Sequence, residues 1–509
     1  MTPTPPGHWL VRFVVLRVLG FVYAAAFLSA ALQLVPLIGH DGLLPLDTFL
    51  DRVALHYGSR WNGFLELPSI FWWDASDRAL GAVSWMGFFL SLVVLAGYAN
   101  AILLAVLWAL YMSIVHVGQD WYGYGWEIQL VETGFLAIFL CPLFDGRPFP
   151  RRAPPVVIIW LLRWLTFRIM LGAGLIKLRG DSCWRDLTCL DFHYETQPIP
   201  NPVSRTFHFL PHWANAAGVL YNHATEVVAP WGIFGPRIVR IVAATMMLGF
   251  QGILIVAGNL SFLNWLTIVP ILACFDDRAL ARVLPRRWVA AAEWAAGGAE
   301  PSRAQSAVSW AVAAVVIVLS LNPVSNMLSG RQIMNTSFDR LDLVNTYGAF
   351  GSVGRERPEI VFEGTDDAKP TADADWKPYE FPCKPGDPLR RPCFIAPFQP
   401  RLAWALWFAA MSTPERYPWT LHVVWKLLHG NRRLLALVEK NPFSQTPPRY
   451  VRAVLYTYRF APPGNPDGAW WERNLEGIWI PPLSADDPRL RKFLDAHGWL
   501  PHPPVDVAP

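Results

Sequence analysis

The sequence predicts a polytopic α-helical membrane protein of about nine membrane helices, one of them polar and re-entrant-like, with a C-terminal extracytoplasmic α+β domain. Of the 509 residues, 53% are hydrophobic and only 16% are charged, and the 26 tryptophans suit the aromatic belts of membrane interfaces. Apolar segments recur through residues 1–322, most of them long enough, or nearly so, to cross a hydrocarbon core of about 30 Å. From residue 323 the pattern changes to short strands and turns.

Eight apolar segments are predicted to be membrane helices. They are residues 9–37, 79–97, 100–117, 126–144, 155–178, 237–257, 259–275 and 307–322. A ninth segment, 213–234, carries Asn215, Asn222, His223 and Glu226, so hydropathy alone leaves its placement open. The first segment is too long for the apolar region of a signal peptide and is expected to remain as an uncleaved helix.

The distribution of arginine indicates the orientation. The connectors 145–155 and 276–306 are the two that are rich in arginine, which places both in the cytoplasm by the positive-inside rule. An odd number of crossings must then lie between residues 179 and 276. Two of them are the segments 237–257 and 259–275, so 213–234 is predicted to be the third. This topology puts the N-terminus inside and residues 323–509 outside. The net charge of +4, with no basic run, gives no reason to expect a nucleic-acid partner.

The six cysteines divide in the way that an oxidising exterior predicts. Two close pairs, Cys183 with Cys189 and Cys383 with Cys393, fall on the outside and are expected to form structural disulfides. Cys141 and Cys274 fall at cytoplasmic helix ends. The CxxxxxC spacing of the first pair lacks the CxxC motif of a thioredoxin-like oxidoreductase, so a redox role is the less favoured alternative.

Residues 323–509 form the predicted α+β domain, whose size is ample for its own core. The predicted strands are 341–352, 357–365, 449–461 and 477–483, and the predicted helices are 401–411, 419–430 and 432–440. The proline-rich segment 382–400 cannot form regular structure.

Several long motifs resemble one family. The run GAGLIKLRGDSCWRDLTCLDFHYETQPIPNP at 172–202, followed by NHATEVVAPW at 222–231, resembles the signature loop of the lipase maturation factor family. The motifs CKPGDPLRRP and PFQPRLAWALWFAA resemble that family's C-terminal domain. One position departs: the family's PRLDW reads Arg401-Leu402-Ala403-Trp404 here, which removes an acidic partner for Arg401.

The resemblance implies a folding and maturation factor for secreted proteins, chaperone-like rather than enzymatic and without a cofactor. The expected partners are secreted clients, lipases among them, and membrane lipid. The expected location is the endoplasmic reticulum membrane, or a bacterial inner membrane with the C-terminal domain in the periplasm. The external loop 179–212 is expected to be the functional face of the membrane domain 1–322.

A shorter resemblance supports an alternative function. The sequence GLIKL at the end of a membrane helix is similar to the membrane domain of the vitamin K-dependent carboxylase superfamily. It implies a membrane enzyme with a cavity near Lys177 that acts on a lipid, a quinone or a protein side chain. A third class, a transporter, is disfavoured because the sequence has no internal repeat.

The candidate catalytic residues lie around the external mouth of the bundle. They are Lys177, His193, Glu195, His223 and Glu226. Lys177 either extends its charge to the interface or acts as a desolvated base. No Cys/His quartet with zinc spacing is present, so we predict no metal site and ascribe the local histidines to structural hydrogen bonds. Within the membrane, Glu132 and Arg168 are predicted to form a buried pair that sets two helices in register.

Overall fold

A computed structural model describes residues 7–500, and the first part of the chain forms a bundle of helices. These helices are α1 Trp9–Ile38, α2 Leu46–Tyr57, α3 Arg60–Glu66, α4 Asp77–Ala96, α5 Ala101–Val117, α6 Gly125–Ile138, α7 Val156–Arg179, α8 Ser182–Arg185, α9 Leu190–Thr196, α10 Pro202–His208, α11 His212–His223, α12 Arg237–Ala257, α13 Leu263–Leu272, α14 Asp277–Leu280, α15 Arg286–Gly297, α16 Arg303–Leu319 and α17 Leu321–Leu328. The long helices α1 and α7 are apolar on nearly every side, as is typical of helices without a solvated face.

Five helices are long and apolar enough to cross a membrane by length and composition. They are α1, α4, α7, α12 and the continuous stretch Arg303–Leu328 formed by α16 and α17. The helices α5 and α13 are apolar but shorter, and α6 has 14 residues. The predicted class of a helical membrane protein with a strand-containing C-terminal domain is therefore confirmed, whereas the count of nine crossings stays a prediction.

The first helix forms the centre of the bundle. Because α1 is apolar on every side, it can be buried among its neighbours α4 and α13. The carboxylate of Asp277 accepts hydrogen bonds from the backbone nitrogens of Trp9, Leu10 and Val11 at 2.8, 2.9 and 3.2 Å. These bonds satisfy donors at the start of α1 that have no partner within the helix.

The polar ninth segment is not a regular helix. After α11, residues Ala224–Val228 form a π-helix and Ala229–Phe234 a 3₁₀-helix. Pro230 cannot donate a backbone hydrogen bond, which ends the regular ladder at that point. The α-helix of this segment is therefore interrupted after His223. The π-helix places the side chain of Glu226 inside the protein.

The C-terminal region contains a four-stranded antiparallel sheet in the order β4-β3-β5-β6. The elements are β1 Thr336–Ser337, β2 Asn345–Thr346, β3 Arg357–Thr365, β4 Lys377–Pro378, α18 Arg401–Ala410, α19 Trp419–Leu428, α20 Arg432–Leu435, β5 Tyr450–Phe460, β6 Trp471–Ser484 and α21 Pro488–Ala496. Arg357 pairs with Tyr458 and Thr365 with Tyr450, so β3 and β5 are aligned along all of β3.

Most predicted C-terminal elements are confirmed, but three differ in length. The strand predicted at 477–483 is longer, since β6 extends over Trp471–Ser484. Only Asn345–Thr346 of the strand predicted at 341–352 is a strand, because that segment bends into the bundle and bonds to helix side chains. Only Arg432–Leu435 of the helix predicted at 432–440 is helical, since Glu439 and Lys440 turn away to bond Glu380.

The absence of an acidic partner for Arg401, inferred from the departure at Ala403, is wrong. The Nη1 atom of Arg401 lies 2.9 Å from Oε1 of Glu127 on α6, and it also donates to the backbone oxygen of Trp121 at 2.6 Å. The guanidinium lies over the ring of Tyr122 with 3.5 Å to the centroid. The partner comes from the membrane bundle, and the pair joins α18 of the C-terminal region to that bundle.

Candidate functional site

The central feature of the site is an ion pair between Lys177, at the end of α7, and Glu226 of the π-helix. The Nζ atom lies 2.6 and 2.7 Å from the two carboxylate oxygens and 3.0 Å from Oδ1 of Asn222. Asn222 also donates to Glu226 at 3.1 Å. All three residues are buried. Three donor–acceptor contacts match the three hydrogens of an ammonium group, so Lys177 is fully bonded inside the protein.

A glycine lets the two elements approach. A side chain at Gly174, one turn before Lys177, would place its Cβ 2.7 Å from Cγ2 of Val227 and 3.0 Å from Cβ of Glu226. Only a residue without Cβ therefore allows the π-helix to pack directly on α7. This close packing holds the carboxylate within reach of the lysine.

A cavity of about 210 Å³ lies beside the ion pair. Lys177, Glu226 and His193 all line it, together with Trp184, whose ring centroid is 5.1 Å from Nζ of Lys177. The ring of His193 packs edge-on against Phe350 at 4.7 Å between centroids. Burial, reinforced by the charge of Lys177, lowers the pKa of His193 to about 4, so this imidazole is neutral at physiological pH.

The other two candidates face away from the cavity and join parts of the chain. Nε2 of His223 lies 2.9 Å from the backbone oxygen of Trp184, which fixes the start of the external loop. Oε2 of Glu195 accepts a hydrogen bond from the backbone nitrogen of Phe460 at 2.6 Å and lies 3.5 Å from Nε2 of His208. Glu195 thereby connects the loop to the end of β5. Of the five predicted residues, the structure brings together Lys177, Glu226 and His193.

The loop 179–212, which the sequence predicts to be external, is held from both sides. Arg357 of β3 donates to the backbone oxygens of Glu195 and Pro198, each at 2.8 Å. Arg205 donates to the backbone oxygens of Ala461 and Pro462, both at 2.9 Å. Bonds from buried or half-buried guanidinium groups to carbonyls are strong and fix the loop against the C-terminal sheet.

The buried charge of Arg357 is itself compensated. Glu359 on the same strand lies 2.6 Å from Nη2 of Arg357 and also pairs with Lys384. All three side chains are nearly inaccessible to solvent. This triad was not predicted from the sequence, although Arg357 and Glu359 are two positions apart and therefore lie on the same face of one strand.

Both predicted disulfides are present. Cys183 is bonded to Cys189 and Cys383 to Cys393, whereas Cys141 and Cys274 are free and buried. The first disulfide closes the loop beside Trp184, next to the cavity. The second closes the proline-rich segment, whose backbone is anchored on the bundle by Asn259 through Cys393 at 2.8 Å.

Glu132 and Arg168 form the predicted buried pair between α6 and α7. Their environment was not predicted: Tyr347 donates to Glu132 at 2.6 Å, and Arg168 donates to the backbone oxygen of Asn345 at 2.7 Å. The pair therefore sets two helices in register and also binds the C-terminal segment that follows α17. No group of three or more His, Cys, Asp or Glu residues within residues 7–500 is arranged to hold a metal ion.

Two family models match this chain, one over the helical bundle and one over the C-terminal region. Residues 10–282 match the model of the lipase maturation factor transmembrane domain, and residues 343–481 match that of the lipase maturation factor C-terminal domain. The chain belongs to the lipase maturation factor family. The two matched ranges contain the Lys177–Glu226 pair, the external loop and the Arg357–Glu359–Lys384 triad.

Individual relatives are similar in sequence to this chain along nearly its whole length. The chain is 48% identical to lipase maturation factor 1 of Bos taurus and 46% identical to that of Homo sapiens, over 97% of this chain and 92% and 91% of theirs. It is 30% identical to lipase maturation factor 2 of Xenopus laevis over 98% of this chain and 86% of that protein. No solved structure matches the chain.

Proposed function

We propose that this protein promotes the folding and assembly of secreted lipases from within a membrane. The observation that carries the proposal is similarity to lipase maturation factors over both the bundle and the C-terminal region. The clamped loop supports it, because a rigid external surface built from two parts of the chain can present a fixed binding face to a client. Secreted lipases are the clients we propose on the basis of the relatives' names.

We further propose nine crossings, with the N-terminus in the cytoplasm and residues 323–509 on the opposite side. Contacts between segments assigned to the same side support this arrangement of crossings, and the arginine-rich connectors indicate its orientation. At the cytoplasmic face, Arg237 lies 2.6 Å from Asp276, and the backbone nitrogen of Ala101 bonds the oxygen of Pro142 at 2.9 Å. At the opposite face, Lys426 lies 2.7 Å from Asp41.

The proposed location is a membrane whose far side is oxidising. Both disulfides lie on that side in the proposed topology, and both free cysteines lie at the other. The relatives come from vertebrates, which favours the endoplasmic reticulum membrane. The comparisons give no support to the alternative of a bacterial inner membrane with a periplasmic domain.

The proposed client contact is the exposed apolar surface of the proline-rich segment. Leu389 lies within the loop that the Cys383–Cys393 disulfide closes, and Phe394 directly follows that disulfide. Their side chains are 61% and 62% exposed. The segment lacks regular structure but is fixed by Asn259, which accepts from the backbone nitrogen of Ile395 at 2.9 Å. Apolar side chains held in place at the surface can bind the exposed hydrophobic regions of an unfinished client.

The alternative, a membrane enzyme that uses Lys177 as a base, has one observation in its favour: Lys177 lines a cavity. Its bonding argues against that role. A base must be deprotonated and must reach a substrate proton, yet the hydrogens of this ammonium are directed to Glu226 and Asn222. We therefore assign the pair to holding the π-helix against α7.

Capture of a client by the full-length protein in detergent tests the proposal. The purified protein is incubated with a refolding secreted lipase, and bound lipase is measured by quantitative immunoblot. We expect the double variant Leu389→Ser/Phe394→Ser to bind about tenfold less lipase, because removing two apolar contacts of this size costs more than about 1.4 kcal/mol. The matched control is Leu475→Ser on β6, at a leucine that is 66% exposed.

Two results would overturn the proposal. One is a wild-type protein that captures no more lipase than empty detergent micelles do. The other is an equal loss of bound lipase in the double variant and in Leu475→Ser. That result would show that the client binds any exposed apolar residue and not the proline-rich segment in particular.

A further inference from the structure

The cavity beside Lys177 has features that the proposed maturation function does not explain. It lies among α7, α9, α11, α12 and α13, and its walls are mainly apolar. Leu210 and Ile253 line it and are 39% and 42% exposed, so the cavity opens at the outer surface of the bundle between α10 and α12. In the proposed topology that surface faces the membrane near its external side.

A carboxamide without a partner faces into this cavity. Asn264, in the first turn of α13, is 2% exposed, and neither its Nδ2 nor its Oδ1 has a hydrogen-bond partner among the described residues. Gln251 of α12 lines the same cavity and donates only to Sδ of Met170 at 3.8 Å. Buried amides that lack partners are costly, and in native proteins they usually bind water, an ion or a ligand.

The charges of the cavity are already balanced. Lys177 and Glu226 neutralise each other, and the neutral His193 adds no charge. Asn222, Gln251 and Asn264 are uncharged. A charged head group entering here would lose its hydration without gaining a counter-ion, so the cavity favours an uncharged ligand.

Space for an apolar tail lies next to the carboxamides. A second cavity, of about 520 Å³, shares the wall residues Ile169, Ala173, Leu260 and Phe350 with the first. It continues toward the aromatic side chains of Trp404 and Trp407 on α18. The two cavities together offer a polar end at Asn264 and an apolar remainder, which is the pattern of an amphiphile site.

We propose that this cavity binds an uncharged glyceride, with a hydroxyl and an ester carbonyl of the lipid bonded to the amide of Asn264. An amide needs both a donor and an acceptor to be satisfied. A glycerol ester supplies both, whereas an isoprenoid quinone supplies only acceptors and an anionic phospholipid brings a charge. The acyl chains lie along the apolar walls.

Binding of 1,2-dioleoylglycerol to the full-length protein in detergent tests the proposal, with native mass spectrometry and thermal shift as readouts. We expect the wild type to retain the lipid and to melt at a higher temperature with it. The variant Asn264→Leu should retain at least tenfold less lipid, while its melting temperature without lipid stays equal to or above that of the wild type. The control is Thr245→Val, on the exposed side of α12.

A second variant keeps the test decisive if Asn264→Leu does not fold: Gln251→Leu should lower lipid retention by several fold. The proposal is overturned if Asn264→Leu, or Gln251→Leu in its place, binds the glyceride as the wild type does. It is also overturned if phosphatidylglycerol or an isoprenoid benzoquinone displaces the glyceride at equal concentration. Client capture is measured separately, so failure of glyceride binding leaves the proposed function standing.

Discussion

Arg401 of the C-terminal region and Glu127 of the membrane bundle form an ion pair that is completely closed to solvent, with 2.9 Å between Nη1 and Oε1 and 0% exposure of both side chains. Tyr111 donates a further hydrogen bond to Glu127. A pair of this kind joins the two halves of the chain, because neither charge can remain alone in an apolar interior.

Breaking that pair on one side is expected to destabilise the protein strongly. Arg401→Met leaves Glu127 buried without a counter-charge, and we expect a loss of about 3–5 kcal/mol in the free energy of unfolding. The double variant Arg401→Met/Glu127→Gln should recover a large part of that loss. Denaturant titration in detergent measures both. The control Arg489→Gln, at an arginine whose side chain is 80% exposed, should change stability by less than about 0.5 kcal/mol. Equal stability of Arg401→Met and wild type would contradict the structural role.

Substitutions at Lys177 distinguish a structural lysine from a catalytic base. Lys177→Ala leaves the buried Glu226 unpaired, whereas Lys177→Arg keeps a positive charge that stays protonated. We expect Arg to retain most lipase maturation and Ala to lose it. Secreted lipase activity per amount of membrane-inserted variant is the measurement. If both variants fold normally in detergent and are equally inactive, the hypothesis of a membrane enzyme replaces that of a maturation factor.

The loop disulfide is expected to stabilise the external loop modestly. Replacing Cys183 and Cys189 by serine removes a closure of only a few residues, worth about 2 kcal/mol by chain entropy. Peptide mapping without reduction should find Cys183 linked to Cys189 and Cys383 linked to Cys393, with Cys141 and Cys274 free to react after denaturation. Alkylation of Cys183 and Cys189 without prior reduction would show that the bond is absent from the mature protein.

Acidification is expected to destabilise the protein through His193. Its pKa is about 4 when folded and near 6.5 when unfolded, so below pH 6.5 the unfolded chain takes up a proton that the folded protein does not. The stability that neutral His193 contributes is present above pH 6.5 and lost between pH 6.5 and 4, by about 3 kcal/mol in all. The variant His193→Gln should show a smaller fall in melting temperature over this range. An identical pH profile for variant and wild type would rule His193 out as the cause.

The sequence predicted what depends on local pattern. The apolar runs predicted the long helices, and the strand character of 357–365 and 449–461 predicted β3 and β5. The charges of Glu132 and Arg168, at similar depth in two adjacent antiparallel helices, predicted their pair. In each case, the signal lies within one element or between neighbours in the chain. The cysteine pairs were predictable for the same reason, since each closes a short segment.

What could not be predicted depends on contacts between distant residues. The residues next to Arg401 in the sequence, Ala403 among them, include no acidic partner, because that partner, Glu127, lies 274 positions away. Nothing local marks Asn264 as an amide without a partner, since only the packing of α7, α12 and α13 encloses it. Similarly, Glu195 was a catalytic candidate by its position in the loop, and its bond to Phe460 is visible only in three dimensions.

The maturation function is tested most directly by restoring lipase secretion in cells that lack their own lipase maturation factors. The specific activity of a secreted dimeric lipase is measured with this protein, with Lys177→Ala at a matched membrane amount, and with an empty vector. We predict that this protein raises the specific activity at least fivefold over the empty vector while the amount of lipase synthesised stays constant. Specific activity no higher than with the empty vector, with the protein correctly inserted, would contradict a role in lipase maturation.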